Sequence, residues 1–134
     1  MTRGPEITFS TNPNLIHLNA ILEQGPAAVF FALIIAHALA DYPLQSAYMA
    51  QHKDRHAAGS ASEWLIALLA HSTIHAGGVW LVTGNLYLGL VEFVLHILID
   101  TGKSKKLYNL VVDQLLHIAC NIGYVVTLCI TGPL

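Results

Sequence analysis

Apolar residues fill four long segments of the chain, and short polar or glycine-containing stretches separate them. The segments cover roughly residues 27–48, 62–82, 86–100 and 108–130. A helix needs about 20 residues to cross about 30 Å of hydrocarbon. The pattern therefore predicts an all-α fold, an integral membrane four-helix antiparallel bundle. Because Pro43 has no N–H to donate, the first helix is expected to kink just past Asp41.

The first 26 residues have a different pattern. After Asn12-Pro13, apolar residues recur at helical spacing: Leu15, Leu18, Ile21 and Leu22. This spacing predicts a short amphipathic helix that lies on the membrane surface. The segment has no apolar core of the signal-peptide type. We therefore expect an N-terminal segment, 1–26, followed by one four-helix domain, 27–134.

Polar residues interrupt each apolar segment at intervals of four. They form the pairs His37 and Asp41, His71 and His75, His96 and Asp100, and Asp113 and His117. Residues four apart lie on one face of a helix, about 6 Å apart along its axis. Because imidazole and carboxylate groups are costly in hydrocarbon, these faces are expected to turn inward. Five histidines and three aspartates would then surround one point.

Eight nitrogen and oxygen ligands suit one or two divalent transition-metal ions with open positions for substrate. Without a usable thiolate, the donor set favours zinc, with iron or manganese as alternatives. We expect the catalytic groups to be the carboxylates that bridge or ligate the metals, one acting as general base: Asp41, Asp100 and Asp113. Amide and carboxylate neighbours are expected to orient the ligands from a second layer. The candidates are Gln45, Glu92, Gln114, Asn109 and Asn121.

The composition agrees with a membrane protein and excludes a disordered chain, a disulfide scaffold and a nucleic-acid-binding domain. Hydrophobic residues make up 54% of the chain and charged residues 10%, against roughly 25% charged in an ordinary soluble domain. Six Lys and Arg residues and a net charge of −2 argue against nucleic acid as a partner. Cys120 and Cys129 have no zinc-type spacing. The eight histidines are unexpected in so apolar a chain.

The basic residues concentrate in two loops: Lys53 and Arg55 in one, and Lys103, Lys105 and Lys106 in the other. The positive-inside rule predicts that both loops are cytoplasmic and that both termini are outside. Lys53 and Lys103 then lie at the mouth of the site. There they are expected to bind an anionic substrate such as a phosphate or phospholipid headgroup. Simple anchoring at the membrane surface is the alternative.

The motifs follow one another as HALADYPLQ from His37, Lys53, AHSTIH ending at His75, HILIDTGK from His96, and DQLLH ending at His117. In this order the chain resembles a bacterial membrane family, domain of unknown function 3307. The resemblance implies a small multi-pass protein of the bacterial inner membrane and names no reaction. More loosely, His71-Ser72 and the HILID motif are similar to inner-membrane proteins labelled metal-dependent hydrolases.

The sequence thus favours a metal-dependent hydrolase that acts on a phosphoester or another anionic, membrane-associated substrate. Its partners would be the lipid bilayer and that substrate, and a homodimer is plausible for so small a bundle. Three alternatives remain: a divalent-cation or proton transporter or sensor that uses the same residues, a membrane-embedded di-iron oxygenase, and a non-catalytic bundle that serves a partner. Interhelical His–Asp hydrogen bonds without a metal would also explain part of the pattern.

Overall fold

In the computed structural model, which describes residues 21–131, all regular secondary structure is helical. Five helices are bounded as follows: α1 Pro26–Asp41, α2 Ala47–His52, α3 Ala61–Thr83, α4 Leu86–Ser104 and α5 Leu110–Thr131. The all-α prediction is confirmed for this part of the chain. The predicted surface helix falls mostly on residues before 21, outside the described residues. Ile21 and Leu22 pack against the apolar core.

The first apolar segment forms two helices instead of one kinked helix. Helix α1 ends at Asp41, and the short helix α2 begins only at Ala47. Pro43 lies in the turn between them, where its lack of an N–H prevents the helical ladder from continuing. The prediction of a break beside Asp41 is confirmed, and the prediction of one continuous segment to residue 48 is wrong. In contrast, α4 continues beyond its predicted end at residue 100 to Ser104.

A tight turn of two residues joins α3 to α4. Gly84 ends α3 in the left-handed conformation, with φ of 68°, which glycine adopts without a steric penalty. The next residue, Asn85, caps α4 by accepting hydrogen bonds from the backbone N–H groups of Tyr87 (2.9 Å) and Leu88 (3.2 Å). So short a connection makes α3 and α4 antiparallel neighbours.

The four longer helices form a closed ring of contacts. Helix α1 packs against α3 and α5, and α4 also packs against α3 and α5, while α2 packs on α3. Apolar side chains fill one end of the bundle, between the first half of α1 and the last half of α5: Val29, Leu33, Val79, Leu88, Tyr124 and Leu128. The other end of the interior is polar.

The interior and the surface of this bundle have unusual polarities. The buried residues include the histidines and acids His71, His75, Glu92, His96, Asp100, Asp113 and His117. Large apolar side chains are instead exposed along the outer faces, such as Phe31, Leu81, Leu98 and Ile130. Within the described residues, α3 and α5 are long and apolar enough to cross a membrane. Helix α1 is apolar but has 16 residues, which is short for a span.

Close packing of α3 on α4 depends on Gly89. A Cβ atom there would lie 3.0 Å from the backbone oxygen of Ala76 and 3.0 Å from Cβ of Trp80, whereas a Cβ at Gly77 would meet nothing within 4 Å. We expect Gly89→Ala to lower the free energy of unfolding by about 1–2 kcal/mol through overpacking. Unfolding of the purified protein in detergent, by heat or denaturant, measures this.

Gly77→Ala is the matched control, because both substitutions replace a helical glycine and gain the same helix propensity. It should leave stability unchanged or higher. Equal stability of the two variants would contradict the close contact at Gly89.

Candidate metal centre

Five imidazole rings meet in the polar half of the bundle. Ring centroids are 3.8 Å apart for His75 and His96, 4.3 Å for His96 and His117, 4.5 Å for His71 and His75, and 4.8 Å for His37 and His75. The rings come from α1, α3, α4 and α5. The predicted convergence of four helix faces is therefore present in the structure.

Two aspartates lie among the imidazole nitrogens. A carboxylate oxygen of Asp41 is 3.3 Å from Nε2 of His37, and the other oxygen is 3.3 Å from Nε2 of His75 and 3.5 Å from Nε2 of His71. Asp100 is 3.7 Å from Nε2 of His117 and 3.8 Å from Nε2 of His71. Each carboxylate therefore lies close to histidines from two different helices.

Several polar atoms of the cluster are buried without a hydrogen-bond partner in residues 21–131. They include Nδ1 of His71 and of His117, Nε2 of His96 and Oδ1 of Asp113. Unsatisfied buried polar atoms are rare and cost about 1–3 kcal/mol each. Three residue sets have ligand atoms within 4.8 Å of one another: His71, His75 and His96; Glu92, His96 and His117; and Asp100, Asp113 and His117. The donor set fits a divalent transition metal.

The charges of the cluster also favour a cation. Glu92, Asp100 and Asp113 are buried, and the side chain of Asp41 is 16% exposed. Among residues 21–131, two ammonium groups, those of Lys53 and Lys103, pair with these four carboxylates. With neutral histidines, two negative charges remain uncompensated. Because buried charges are costly unless paired or neutralised by a proton, one divalent cation would balance them, as would protonation of two imidazoles or of two carboxylates.

Glu92 and Tyr124 hold the ring of His96 through a chain of two contacts. His96 Nδ1 is 3.0 Å from Oε1 of Glu92, and the Tyr124 hydroxyl donates to Oε2 of Glu92 at 2.6 Å. Such a partner fixes the ring so that Nε2 faces the cluster. The sequence interpretation named Glu92 and missed Tyr124. Tyr124 follows His117 by seven residues, two helical turns along the same face, so the spacing contained the signal.

The other predicted supporting residues differ in what they contact. Gln114 Nε2 is 3.4 Å from Asp41 and 3.3 Å from Asp113. Gln45 donates to the backbone oxygen of Asp41 at 2.6 Å, and Asn121 is buried with its Nδ2 unpaired in the described chain. Asn109 is exposed and caps α5 through the Val112 N–H, so its predicted place beside the cluster is wrong.

Lys53 and Lys103 lie where the polar cluster opens. Lys53 Nζ is 2.8 Å from Nε2 of His71 and 3.1 Å from Asp100, and Lys103 Nζ is 2.8 Å from Asp113. Both lysines line a cavity of about 290 Å³ together with the three predicted catalytic carboxylates: Asp41, Asp100 and Asp113. The cluster is therefore accessible from the end that carries both basic loops.

The two basic loops are tied together beside this opening. Ser104 Oγ accepts from the backbone N–H of Arg55 (2.9 Å) and donates to Asp54 (3.0 Å). A further hydrogen bond from the backbone N–H of His56 lowers the pKa of Asp54. Tyr108 donates to the backbone oxygen of Ile99. These contacts hold the loops at one end of the bundle, as the distribution of basic residues predicted.

The family resemblance is confirmed by a family model, "Protein of unknown function (DUF3307)", which matches residues 29–132. The chain belongs to the DUF3307 family. No curated protein and no solved structure matches the chain. The matched range contains all eight predicted ligands and both lysines at the opening. The family description states no reaction, so the chemistry of this DUF3307 member has to be argued from its cluster.

The Tyr124–Glu92 contact can be tested through stability. Tyr124→Phe removes the only hydroxyl that donates to Glu92 among the described residues, and leaves a buried carboxylate oxygen unpaired. We expect the free energy of unfolding to fall by about 1–3 kcal/mol. Tyr87→Phe is the control, because Tyr87 is 73% exposed, and it should not change stability. Equal effects of the two substitutions would contradict a supporting role for Tyr124.

Proposed function

We propose that this protein is a metal-dependent hydrolase of the bacterial inner membrane. Its cluster would hold one or two divalent transition-metal ions, with zinc favoured, and would cleave a phosphoester or a similar anionic substrate from the cytoplasmic side. The observation that carries the proposal is the buried His/Asp cluster, with unpaired polar atoms inside and two lysines lining the cavity that reaches it.

The reversed polarity of the bundle supports placement in a membrane. Within the 18-residue apolar stretch of each helix, only 33% of the residues of α3 and 17% of those of α5 are buried. Core helices of soluble proteins are instead mostly buried. Helix α4 carries Glu92, Asp100 and Lys103, and its two acids turn inward. Its exposed face is apolar, with Leu90, Val94 and Leu98. We therefore include α1 and α4 as spans, with both basic loops cytoplasmic and both termini outside.

The candidate ligand atoms fall into sets that could each hold a metal ion. His71, His75 and His96 form one set that could hold an ion, and Asp100, Asp113 and His117 form another. Asp41 and His37 lie beside the first set. When bound, the metal would supply Lewis acidity, polarising the substrate and lowering the pKa of water.

The chain's own residues provide the remaining chemistry. The ammonium groups of Lys53 and Lys103 now neutralise Asp100 and Asp113. With Asp100 and Asp113 holding a divalent cation, the ammonium groups of Lys53 and Lys103 would be free to bind the oxygens of an anionic substrate. One of the cavity-lining carboxylates, Asp41, Asp100 or Asp113, would accept the proton of the attacking water. Closely placed cations make phosphoesters better candidates than peptides.

One-sided access favours hydrolysis over transport through a continuous passage. The cavity at the cluster is lined by residues from the basic end of the bundle. At the opposite end, Leu33, Val79, Leu88 and Leu128 are buried in the apolar core. A continuous passage for a cation or proton needs access from both sides at once, and in the described residues the apolar core separates the cluster from that end. A carrier opens to one side at a time and stays the second candidate function.

The direct test is hydrolysis of bis(p-nitrophenyl) phosphate by the full chain in detergent. We expect activity that EDTA removes and that zinc or manganese restores. Asp100→Asn should lower kcat/KM by at least about a hundredfold, the scale of a lost general base or ligand. Glu63→Gln, a carboxylate substitution outside the cluster, should retain activity. Activity that survives both EDTA and Asp100→Asn would overturn the proposal, as would a zinc-loaded protein without any phosphoesterase activity.

Lys103 should act on substrate affinity more than on turnover. Its side chain is 34% exposed at the opening, where an anionic substrate would enter. We expect Lys103→Gln to raise KM for the phosphodiester by about tenfold, the scale of one charge-assisted hydrogen bond, with a smaller change in kcat. A carboxylic ester without charge provides the control substrate. An equal rise in KM for both substrates would contradict recognition of the phosphate.

A further inference from the structure

A second cavity, of about 340 Å³, lies outside the metal centre at the same end of the bundle. Its lining residues are Arg55, Trp64, Thr101, Ser104 and Lys105. None of them is acidic, whereas the neighbouring cavities are lined by Asp41, Asp54, Asp100 and Asp113. The cavity therefore combines two cations with hydroxyl groups and an indole ring.

Both the backbone and the guanidinium group of Arg55 are held in place. Its backbone N–H donates to Ser104 Oγ at 2.9 Å, and its guanidinium carbon lies 4.9 Å from the centroid of the Trp64 ring. Stacking on an aromatic ring orients a guanidinium group and leaves its N–H edges free to donate. The group is therefore preorganised, which reduces the entropy lost when it binds a ligand.

The cations of this cavity differ from those at the metal centre. Lys53 and Lys103 each pair with a carboxylate, whereas neither Arg55 nor Lys105 has a carboxylate within 4.0 Å in residues 21–131. The nearby Asp54 accepts from Ser104 and from the His56 N–H instead. The Trp64 indole N–H is shielded from solvent and has no acceptor in the same residues. The cavity thus has several donors and no internal anion.

We propose that this cavity binds the oxyanion of a phosphate group, carried either by an anionic phospholipid headgroup or by free phosphate. Arg55 would donate to two oxygens through its planar fork, and Lys105 and Thr101 would contact the others. Thr101 and Lys105 are four residues apart at the end of α4, and Trp64 lies in the first turn of α3. In the proposed membrane orientation this is the headgroup level, where tryptophan and basic side chains concentrate.

The binding can be measured with the full chain in detergent containing EDTA, in a Trp80→Phe background. Trp64 is then the only tryptophan, because the sequence has two. The probes are dihexanoyl phosphatidylglycerol, inorganic phosphate and, as the phosphate-free control, dihexanoylglycerol. We expect a saturable change in Trp64 fluorescence with phosphatidylglycerol and none with dihexanoylglycerol. A response to inorganic phosphate as well would identify the oxyanion alone as sufficient, and a response to the lipid only would identify the phospholipid.

Variants assign the binding to this cavity. Arg55→Gln and Lys105→Gln should each weaken binding by about tenfold, and Arg55→Lys should lose less because it keeps the charge. Lys106→Gln is the control, because Lys106 carries the same charge in the same loop and does not line the cavity. Equal losses for Lys105→Gln and Lys106→Gln, or unchanged binding by the Arg55 and Lys105 variants, would overturn the proposal. A response that is present without EDTA and absent with it would place the phosphate at the metal centre, and would also overturn the proposal. Loss of hydrolysis alone does not bear on this cavity.

Discussion

The structure depends on one electrostatic requirement: four carboxylates and five imidazoles, all but Asp41 and His37 buried, must be balanced inside a helical bundle. Two lysine ammonium groups balance half of the carboxylate charge. The unpaired nitrogens and oxygens that remain converge on a small volume. Burial of charge is tolerated only where opposite charge and hydrogen bonds compensate it. A bound divalent cation would supply the opposite charge and would coordinate the unpaired nitrogens and oxygens.

Other features of the bundle follow from this arrangement. Because the polar faces of all four long helices turn inward, the apolar faces are left outside, and the surface becomes suited to hydrocarbon. Both lysines lie at one end of the bundle, Lys53 at the end of α2 and Lys103 in the last turn of α4, and their side chains reach the cluster from there. Ser104, Asp54 and Tyr108 tie these loops to the end of α4. The apolar core at the opposite end leaves the cluster open on one side.

Period and residue type were enough to predict the all-α fold and the convergence of the candidate ligands. Four-residue spacing determines a helix face, and for a bundle in the proposed membrane location the cost of exposing His37, His71 or Asp113 to hydrocarbon predicts that this face turns inward. Pro43 predicted the break beside Asp41, but the sequence could not reveal that the separate helix α2 follows, because turn geometry after Pro43 depends on packing. Asn109 was misplaced for a related reason: Asn at a helix start serves as a cap, and spacing cannot separate a cap from a face. Tyr124 was overlooked because tyrosine is not a metal ligand of first choice.

The most direct test of the account is the metal content of the untagged protein, measured by inductively coupled plasma mass spectrometry after purification in detergent. A His71→Ala/Asp100→Ala variant removes two cluster residues, and His52→Ala/His56→Ala removes two histidines outside the cluster. The account predicts one or two transition-metal ions per chain in the wild type and in the His52/His56 variant, and loss of metal in the His71/Asp100 variant. A wild-type protein that is folded and monodisperse but takes up no metal would contradict it.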